Sequence, residues 1–288
     1  MKLYTFYHAE RKHLGIGVRS SIVHLPLAYA VMRSVRGVTE NAPVSLPNDM
    51  LAFIRMGETG SKAAEEVVSF MKRRPALPVG EQIIFGFDDV KLCAPILKSG
   101  KIICARFSEN KNSPEAFFSK FPSCLLGPNE PILQPAHVSQ LSCQPVVAVV
   151  IGKLIPRGKI EDISQGIFGY TLLKDISVAN GTLDLLSGNF DTFCPLGPCV
   201  HVTEGLAEIE KIQARFLING DEIVLSPISG VFGILARLVE TMTLEPGDVI
   251  GIAAKSREGS CFVLKTGDVT MLEADDLGKL ENRVIQTA

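Results

Sequence analysis

The chain has 288 residues, 46% of them hydrophobic and 21% charged, a composition typical of a compact globular protein with one large domain or one large and one small. Its formal net charge of -2, with lysines and arginines scattered along the chain, gives no reason to expect nucleic acid or an anionic membrane as a partner. No signal peptide opens the sequence and no apolar stretch approaches the ~18 residues that cross a bilayer, so a cytoplasmic protein is predicted.

The seven cysteines form no Cys-x-x-Cys pair. An odd number without such spacing argues against a disulfide framework and against a zinc site. We therefore expect all seven to be reduced and most of them to be buried as small apolar side chains.

Residues 1–75 predict a small α/β domain, because short β-branched runs are followed by stretches with helical spacing of apolar residues. The proline- and glycine-containing segment 75–81 cannot continue a helix and is the predicted linker. The predicted elements are strands at 1–6, 15–18 and 21–25 and helices at 26–35, 49–54 and 61–72, the last with Ser61 as its N-cap.

Residues 80–288 predict a β-rich body, since short apolar strands alternate with Gly, Pro and Asn and only residues 231–241 have convincing helical spacing. Asn219-Gly220 between two apolar runs indicates a tight hairpin with positive φ at both positions. The predicted strands are 102–105, 146–151, 166–173, 199–202, 212–218, 249–252 and 269–273.

The longest fixed pattern in the chain is FDTFCPLGP at residues 190–198. KIIC at 101–104, LLGPNEPI at 125–132 and AVVIGK at 148–153 precede it in order. Together these stretches resemble the fumarylacetoacetate hydrolase family over residues 80–288. The resemblance implies an α+β fold with a β-roll body and a small N-terminal α/β domain, and it implies a homodimer.

The resemblance also implies a chemistry. Enzymes of this family cleave, decarboxylate or hydrate relatives of α-keto and β-diketo acids, usually with magnesium held by three carboxylates. Two of these carboxylates stand on alternate residues of the AVVIGK strand and so share one face. Here those positions are Gln144 and Val146, and Asp175 alone keeps a carboxylate. Such a set suits magnesium poorly, so we expect no cofactor, with weak magnesium binding at Asp175 as the alternative.

Other positions that the resemblance implies have changed as well. The family's histidine base and the glutamate three residues later fall on Asn112 and Glu115, and an amide cannot take up a proton near neutral pH. A lysine expected ahead of FDTF is Gly188. Lys174 is expected either to have a depressed pKa in a dry pocket or to be a plain ion-paired or exposed lysine. The candidates are Glu115, Asn112, Lys174 and Asp175 for catalysis, and Arg106, Gln144, Val146, Asn189, Val224, Ile228 and Lys255 for substrate binding.

Three functions fit a retained scaffold with altered chemistry. The first is a metal-independent enzyme that isomerises, cyclises, decarboxylates or cleaves an apolar keto or enol compound. The second is a non-catalytic binding or assembly module. The third is a residual magnesium-dependent acylpyruvate-type hydrolase or decarboxylase, since Asp175 and Glu115 are retained and Gln144 can donate an oxygen. A glutamate from elsewhere, such as Glu109 or Glu130, in place of Gln144 or Val146 would restore the metal site. A working enzyme should show polar groups converging in a cavity, whereas a structural remnant fills its cavity with side chains.

Overall fold

The computed structural model describes residues 1–37, 45–75, 77, 82–107, 114–179, 185–203, 205–254, 256, 259 and 261–287. Within these residues a thirteen-stranded sheet and a five-stranded sheet form the frame, and the helices are few. The α+β prediction is confirmed. In the same part of the chain, no helix is long and apolar enough to cross a membrane.

The N-terminal elements follow the predicted order but differ at one helix start. The third helix begins at Gly57, whose φ of +56° changes the direction of the backbone after the preceding helix. Ser61 therefore lies inside the helix, and its prediction as N-cap is wrong. Asp49 does cap the second helix, since its Oδ1 accepts from the Ala52 amide at 2.9 Å. The elements are β1 (Lys2–His8), β2 (Arg11–Val18), β3 (Ser21–His24), α1 (Leu25–Val35), α2 (Met50–Arg55), α3 (Gly57–Lys72), β4 (Ile84–Phe85) and β5 (Lys91–Leu92).

The body contains the predicted strands, most of them longer than the sequence indicated, and the predicted helix at its predicted bounds. Asn219 and Gly220 have φ of +53° and +94°, as their hairpin turn requires. The elements are β6 (Ile102–Phe107), β7 (Pro114–Lys120), β8 (Leu125–Leu126), β9 (Ile132–Gln134), β10 (Leu141–Ile151), α4 (Ile163–Gly166), β11 (Ile167–Val178), β12 (Cys194–Val202), α5 (Leu206–Ile209), β13 (Ala214–Ile218), β14 (Asp221–Val224), α6 (Val231–Thr241), β15 (Val249–Ala253), β16 (Phe262–Leu264), β17 (Val269–Ala274) and β18 (Gly278–Gln286).

The large sheet runs through both parts of the chain. Its order is β4-β3-β2-β1-β12-β11-β10-β15-β6-β7, with β5, β8 and β16 added at β1, β12 and β10. The N-terminal strands thus join the body through the antiparallel pair β1 and β12. Of the predicted linker, residues 76 and 78–81 lie outside the described part, and the domain boundary stays a prediction. The small sheet has the order β14-β13-β17-β18-β9.

Strands β10 and β11 lie at the centre and are buried on both faces. Val147 and Val149 belong to an apolar core that also contains residues of the small sheet. Val146 and Ala148 belong to a second core that includes side chains of α1, α2 and α3. Because strand side chains alternate, neighbouring residues of these strands must enter different cores.

The cysteines agree with their sequence pattern. All seven are free; six are buried and Cys261 is exposed. The expectation that most cysteines are buried is confirmed.

Candidate functional site

Gln144 and Asp175 lie side by side on the central strands. The antiparallel register of β10 and β11 pairs them directly, and the next pair on the same face is Val146 with Leu173. Both polar side chains are buried, with relative exposures of 2% and 1%. Three positions that the sequence analysis had grouped, residues 144, 146 and 175, therefore do share one face.

A lysine that the sequence analysis did not single out completes this site. Lys120, at the end of β7, places its Nζ 2.7 Å from Asp175 Oδ1, and both side chains are almost fully buried. The ammonium also donates to three backbone carbonyls: that of Ile176, that of Gly188 at 2.5 Å and that of Phe193 at 3.3 Å. In the sheet, β10, β15 and β6 separate β11 from β7, so the contact shows that the sheet curls until its strands meet again.

Gly188 stands where the resemblance implied a lysine, yet an ammonium is present at this place. A Cβ added at Gly188 would lie 3.4 Å from Lys120 Nζ, in ordinary van der Waals contact. Lys120, on β7, therefore supplies a positive charge at the place where the resemblance implied a lysine.

Asn189 ties the loop before β12 to the strand that carries Lys120. Its Oδ1 accepts from the Phe121 amide at 2.6 Å, and its Nδ2 donates to the carbonyls of Ser119 at 3.0 Å and Leu185 at 2.7 Å. Asn189 was predicted to bind substrate. The structure places it in the cavity wall, where its side-chain amide links the backbone on both sides of Lys120 to that of Leu185.

A cavity of about 170 Å³ lies against this cluster. Its wall is polar at the ion pair, at three serines and at Asn189, and apolar at two phenylalanines and a leucine. The described lining consists of Phe117, Phe118, Ser119, Lys120, Asp175, Ser177, Leu185, Ser187, Gly188 and Asn189.

Lys174 does not belong to this cavity, although it neighbours Asp175 in sequence. It points to the other face of β11, where its Nζ donates to the Thr270 hydroxyl at 2.8 Å and the Thr270 carbonyl at 3.2 Å. Burial lowers the pKa of Lys174 to about 7, while Cys143 and Glu281 act in the opposite direction. The described residues place no carboxylate within ion-pair distance of it, so the depressed pKa, not the plain ion pair, is what the structure shows.

The remaining predicted site residues are dispersed. Val224 is 74% exposed and lines a separate open cleft of about 650 Å³ beside Ser226 and Ser256. Ile228 is buried in the apolar core. Neither residue is in the described lining of the Asp175 cavity. Asn112 and Lys255 lie outside the described residues, as do the side chains of Arg106 and Glu115.

Comparison with known proteins shows the family. The family described as "Fumarylacetoacetate (FAA) hydrolase C-terminal" matches residues 100–285. The chain belongs to the fumarylacetoacetate hydrolase family. It is 30% identical over 268 residues to the mitochondrial oxaloacetate tautomerase fahd2 of Xenopus laevis, which covers 84% of this chain and 80% of the relative.

A further relative and a solved structure cover nearly all of the chain. A fumarylacetoacetate hydrolase domain-containing protein 2 homolog of Dictyostelium discoideum is 29% identical over 96% of this chain and 93% of its own length. The crystal structure of maleylpyruvate hydrolase from Sphingobium sp. SYK-6 with manganese and pyruvate has a TM-score of 0.76 and 24% identity, with both chains fully covered. The solved structure supports the fold.

The residues at the family's metal position do not fit a magnesium ion. Val146 offers no ligand atom, and the Asp175 carboxylate already faces the ammonium of Lys120. Gln144 Oε1 is buried and has no hydrogen-bond partner among the described residues, so it could give one neutral oxygen. A hard divalent ion needs several anionic oxygens and would be repelled by the adjacent ammonium. The described residues contain no group of three His, Cys, Asp or Glu placed to share an ion.

Of the two alternative carboxylates, Glu130 is engaged elsewhere. Glu130 forms an ion pair with Lys91 at 2.6 Å and accepts from the Gly127 amide at 2.8 Å. Glu109 lies outside the described residues. We therefore derive no reaction step through magnesium.

Proposed function

We propose that this family member is an isomerase that moves a proton on a small keto acid or its enol without a metal ion, with Asp175 and Lys120 as the working pair. The observation that carries the proposal is the buried carboxylate and ammonium, 2.7 Å apart, in the wall of a cavity. In support, several relatives are named as oxaloacetate tautomerases, and keto-enol tautomerisation needs only groups that take up, return and stabilise charge.

The cavity volume narrows the substrate class. About 170 Å³ corresponds to the space of five or six water molecules. This volume suits a keto acid of three to five carbons better than the larger apolar compound that the sequence suggested. Phe117, Phe118 and Leu185 would contact its carbon chain, while the ion pair would face its oxygen atoms.

The proposed step balances with one proton. The Asp175 carboxylate takes a proton from the carbon next to the keto group, and the electrons of that C–H bond form the C=C bond. The keto oxygen gains the negative charge, which the Lys120 ammonium stabilises. Return of the same proton from Asp175 to that oxygen completes the enol, and the reverse sequence restores the ketone.

The enol's ultraviolet absorbance tests the proposal, with oxaloacetate as substrate in buffer that contains EDTA. We expect the wild-type chain to exceed the buffer rate and Asp175→Asn to lose 10²–10⁴-fold, the usual contribution of a positioned acid-base group. Lys174→Met is the matched control, because it removes the neighbouring lysine from the opposite face of β11. A wild-type rate equal to that of buffer, or equal losses in both variants, would contradict the proposal.

One observation favours the non-catalytic module as a second candidate. An ammonium has three hydrogens, and Lys120 already faces three carbonyls and a carboxylate. For this second candidate, a group so fully engaged holds the surrounding strands and loop together and takes no part in chemistry. Absence of activity with oxaloacetate, pyruvate and acylpyruvates, together with strong destabilisation by Lys120→Met, would support this candidate.

Two expectations stay predictions. The homodimer rests on the family resemblance, and the cytoplasmic location rests on the sequence pattern. The Xenopus relative is by name mitochondrial. Sedimentation of the purified chain would test the first, and imaging of the tagged chain in its own cells the second.

A further inference from the structure

A second cleft, remote from Asp175, lies where the N-terminal strands meet β12 and β18. Its volume is about 880 Å³, within the range of sites for organic ligands. Tyr4, Pro198 and Leu277 are buried residues that form its apolar floor. The cleft is five times the volume of the cavity at Lys120, so it has room for a ligand larger than a short keto acid.

Four cationic side chains surround this floor: Lys2, Arg19, Lys72 and Lys279. No carboxylate is among its described lining residues, although the chain as a whole carries a net charge of -2. Clustered charge of one sign in a cleft concentrates ligands of the opposite sign. The electrostatic field therefore favours an anion.

The charges of these residues are largely uncompensated. Within the described chain, Lys2, Arg19 and Lys72 form no salt bridge, and Lys279 lies 3.9 Å from Glu273. The Arg19 guanidinium donates to the Lys72 carbonyl at 2.9 Å, which holds it against the last turn of α3. Burial lowers the pKa of His201 at one side of the cleft, while two carboxylates, Glu208 and Asp276, each act to raise it. Lys2 is the strand partner of His201, and both carboxylates stand outside the described lining of the cleft.

Aromatic surface accompanies the cations. The rings of Tyr4 and Phe87 meet edge to face with centroids 5.5 Å apart, and Phe87 is 40% exposed. Gly17 keeps this surface open, because a Cβ there would lie 3.2 Å from the Tyr4 ring. A flat ring can stack on such a surface while its charged group reaches the lysines.

We propose that this cleft binds an organic polyphosphate with an aromatic body, the phosphates lying between Lys2, Arg19 and Lys72 and the ring against Phe87. The proposal is independent of the reaction at Asp175. The cleft lies at one end of β12, where Lys2 is the strand partner of His201. The Asp175 cavity lies near the other end, where the amide of Ile176 donates to the carbonyl of Phe193, just before β12 begins. Eight residues of strand separate these levels by roughly 25 Å.

Isothermal titration calorimetry with the full chain in 50 mM salt tests the proposal with three probes. ATP supplies phosphates and ring, tripolyphosphate supplies the phosphates alone, and adenosine supplies the ring alone. We expect ATP to bind with a micromolar Kd, at least tenfold tighter than either part, and to weaken at least tenfold in 300 mM salt because surface charges are screened. No heat at 2 mM ATP, or equal affinity for ATP and tripolyphosphate, would overturn the proposal.

Charge-reversal variants locate the binding. Lys2→Glu and Lys72→Glu should each weaken ATP binding at least tenfold, whereas Lys211→Glu, an exposed lysine outside the cleft, should leave the Kd within twofold. All three changes are at surface positions, and unchanged thermal midpoints verify folding. The double variant Lys120→Met, Asp175→Leu, which removes both charges of the buried pair, should also leave the Kd unchanged, which separates this cleft from the proposed active site. Equal loss in the Lys211 control would reject a specific site.

Discussion

Two lysines are buried on opposite sides of the central strands, and the protein accommodates them differently. Lys120 faces the Asp175 carboxylate and three backbone carbonyls. Lys174 is 0% exposed; among the described residues its Nζ donates to the two oxygens of Thr270, and burial lowers its pKa to about 7. A buried cation thus either acquires a counter-charge or gives up its proton.

The comparison explains why Lys120, and not Lys174, belongs to the proposed site. Lys120 lines the cavity, whereas Lys174 lies between the two sheets against β17. A lysine with a pKa near 7 has the protonation behaviour of a nucleophile or base. Chemistry needs access as well, and the described cavities do not include Lys174 among their lining residues.

The largest expected effect is that of Lys120→Met, which removes the ammonium from a buried carboxylate. Breaking one side of a buried ion pair typically costs about 3–5 kcal/mol of unfolding free energy. Urea unfolding measures this cost. The double variant Lys120→Met, Asp175→Leu is the control and should recover most of the stability, since it removes both charges. A loss below about 1 kcal/mol in the single variant would show that the pair is not buried as described.

A second experiment introduces two buried carboxylates without adding a positive charge to balance them. Gln144→Glu with Val146→Glu restores the carboxylates that the family resemblance implied, at positions that are 2% and 1% exposed. We expect the metal-free double variant to lose several kcal/mol. Millimolar Mn²⁺ should return about 2.7 kcal/mol at a hundredfold excess over its Kd. The thermal midpoint of the wild-type chain should not respond to Mn²⁺; a rise there would contradict the argument from the donor set.

Lys174 is predicted to make stability depend on alkaline pH. Its folded pKa of about 7 lies below the unfolded value of 10.5, so the unfolded state binds more protons between these values. Stability therefore rises with pH in this window, by at most about 1.4 kcal/mol per unit. Relative to Lys174→Met, the wild-type chain should gain about 2 kcal/mol from pH 7 to pH 9 in urea unfolding. A constant difference between the two chains would contradict the lowered pKa.

The local fold was largely predictable, because it depends on near neighbours in sequence. Apolar runs marked the strands of the body, and Asn219-Gly220 marked its hairpin turn. The family resemblance, together with strand alternation, placed residues 144 and 146 on one face. Helix starts were less reliable: Ser61 has the residue type of a cap, but the helix had already begun at Gly57.

The site was predicted only in part, because its key contact joins distant segments. The meeting of Lys120 and Asp175 depends on how far the sheet curls, which no local pattern specifies. One signal was available in the sequence: Lys120 follows Phe118 by two positions, so in a strand both side chains lie on one face. In the structure these two residues pair with the buried residues Ile102 and Cys104. Val224 and Ile228 were placed at the cavity by alignment alone.

The smallest effect concerns His24, a buried basic group that, like Lys174, has no carboxylate partner among the described residues. Its Nδ1 accepts from the Leu27 amide at 3.1 Å and caps α1. Its Nε2 must therefore carry the hydrogen donated to His13 Nδ1, at 2.8 Å. Burial, and then the neighbouring His13, lower the pKa of His24 to about 4. Like Lys174, this group is accommodated in its neutral form.

His24 should therefore make the protein sensitive to acid. Its folded pKa of about 4 lies below the unfolded value of 6.5, so the unfolded state binds more protons in between and stability falls as pH falls through this window. We expect a loss of about 1 kcal/mol between pH 7 and pH 5.5, relative to His24→Asn. Asparagine keeps a capping oxygen for the Leu27 amide but cannot titrate, which makes it the matched control. Parallel losses in both chains would assign the acid sensitivity to other groups and leave the rule drawn from the two lysines without this support.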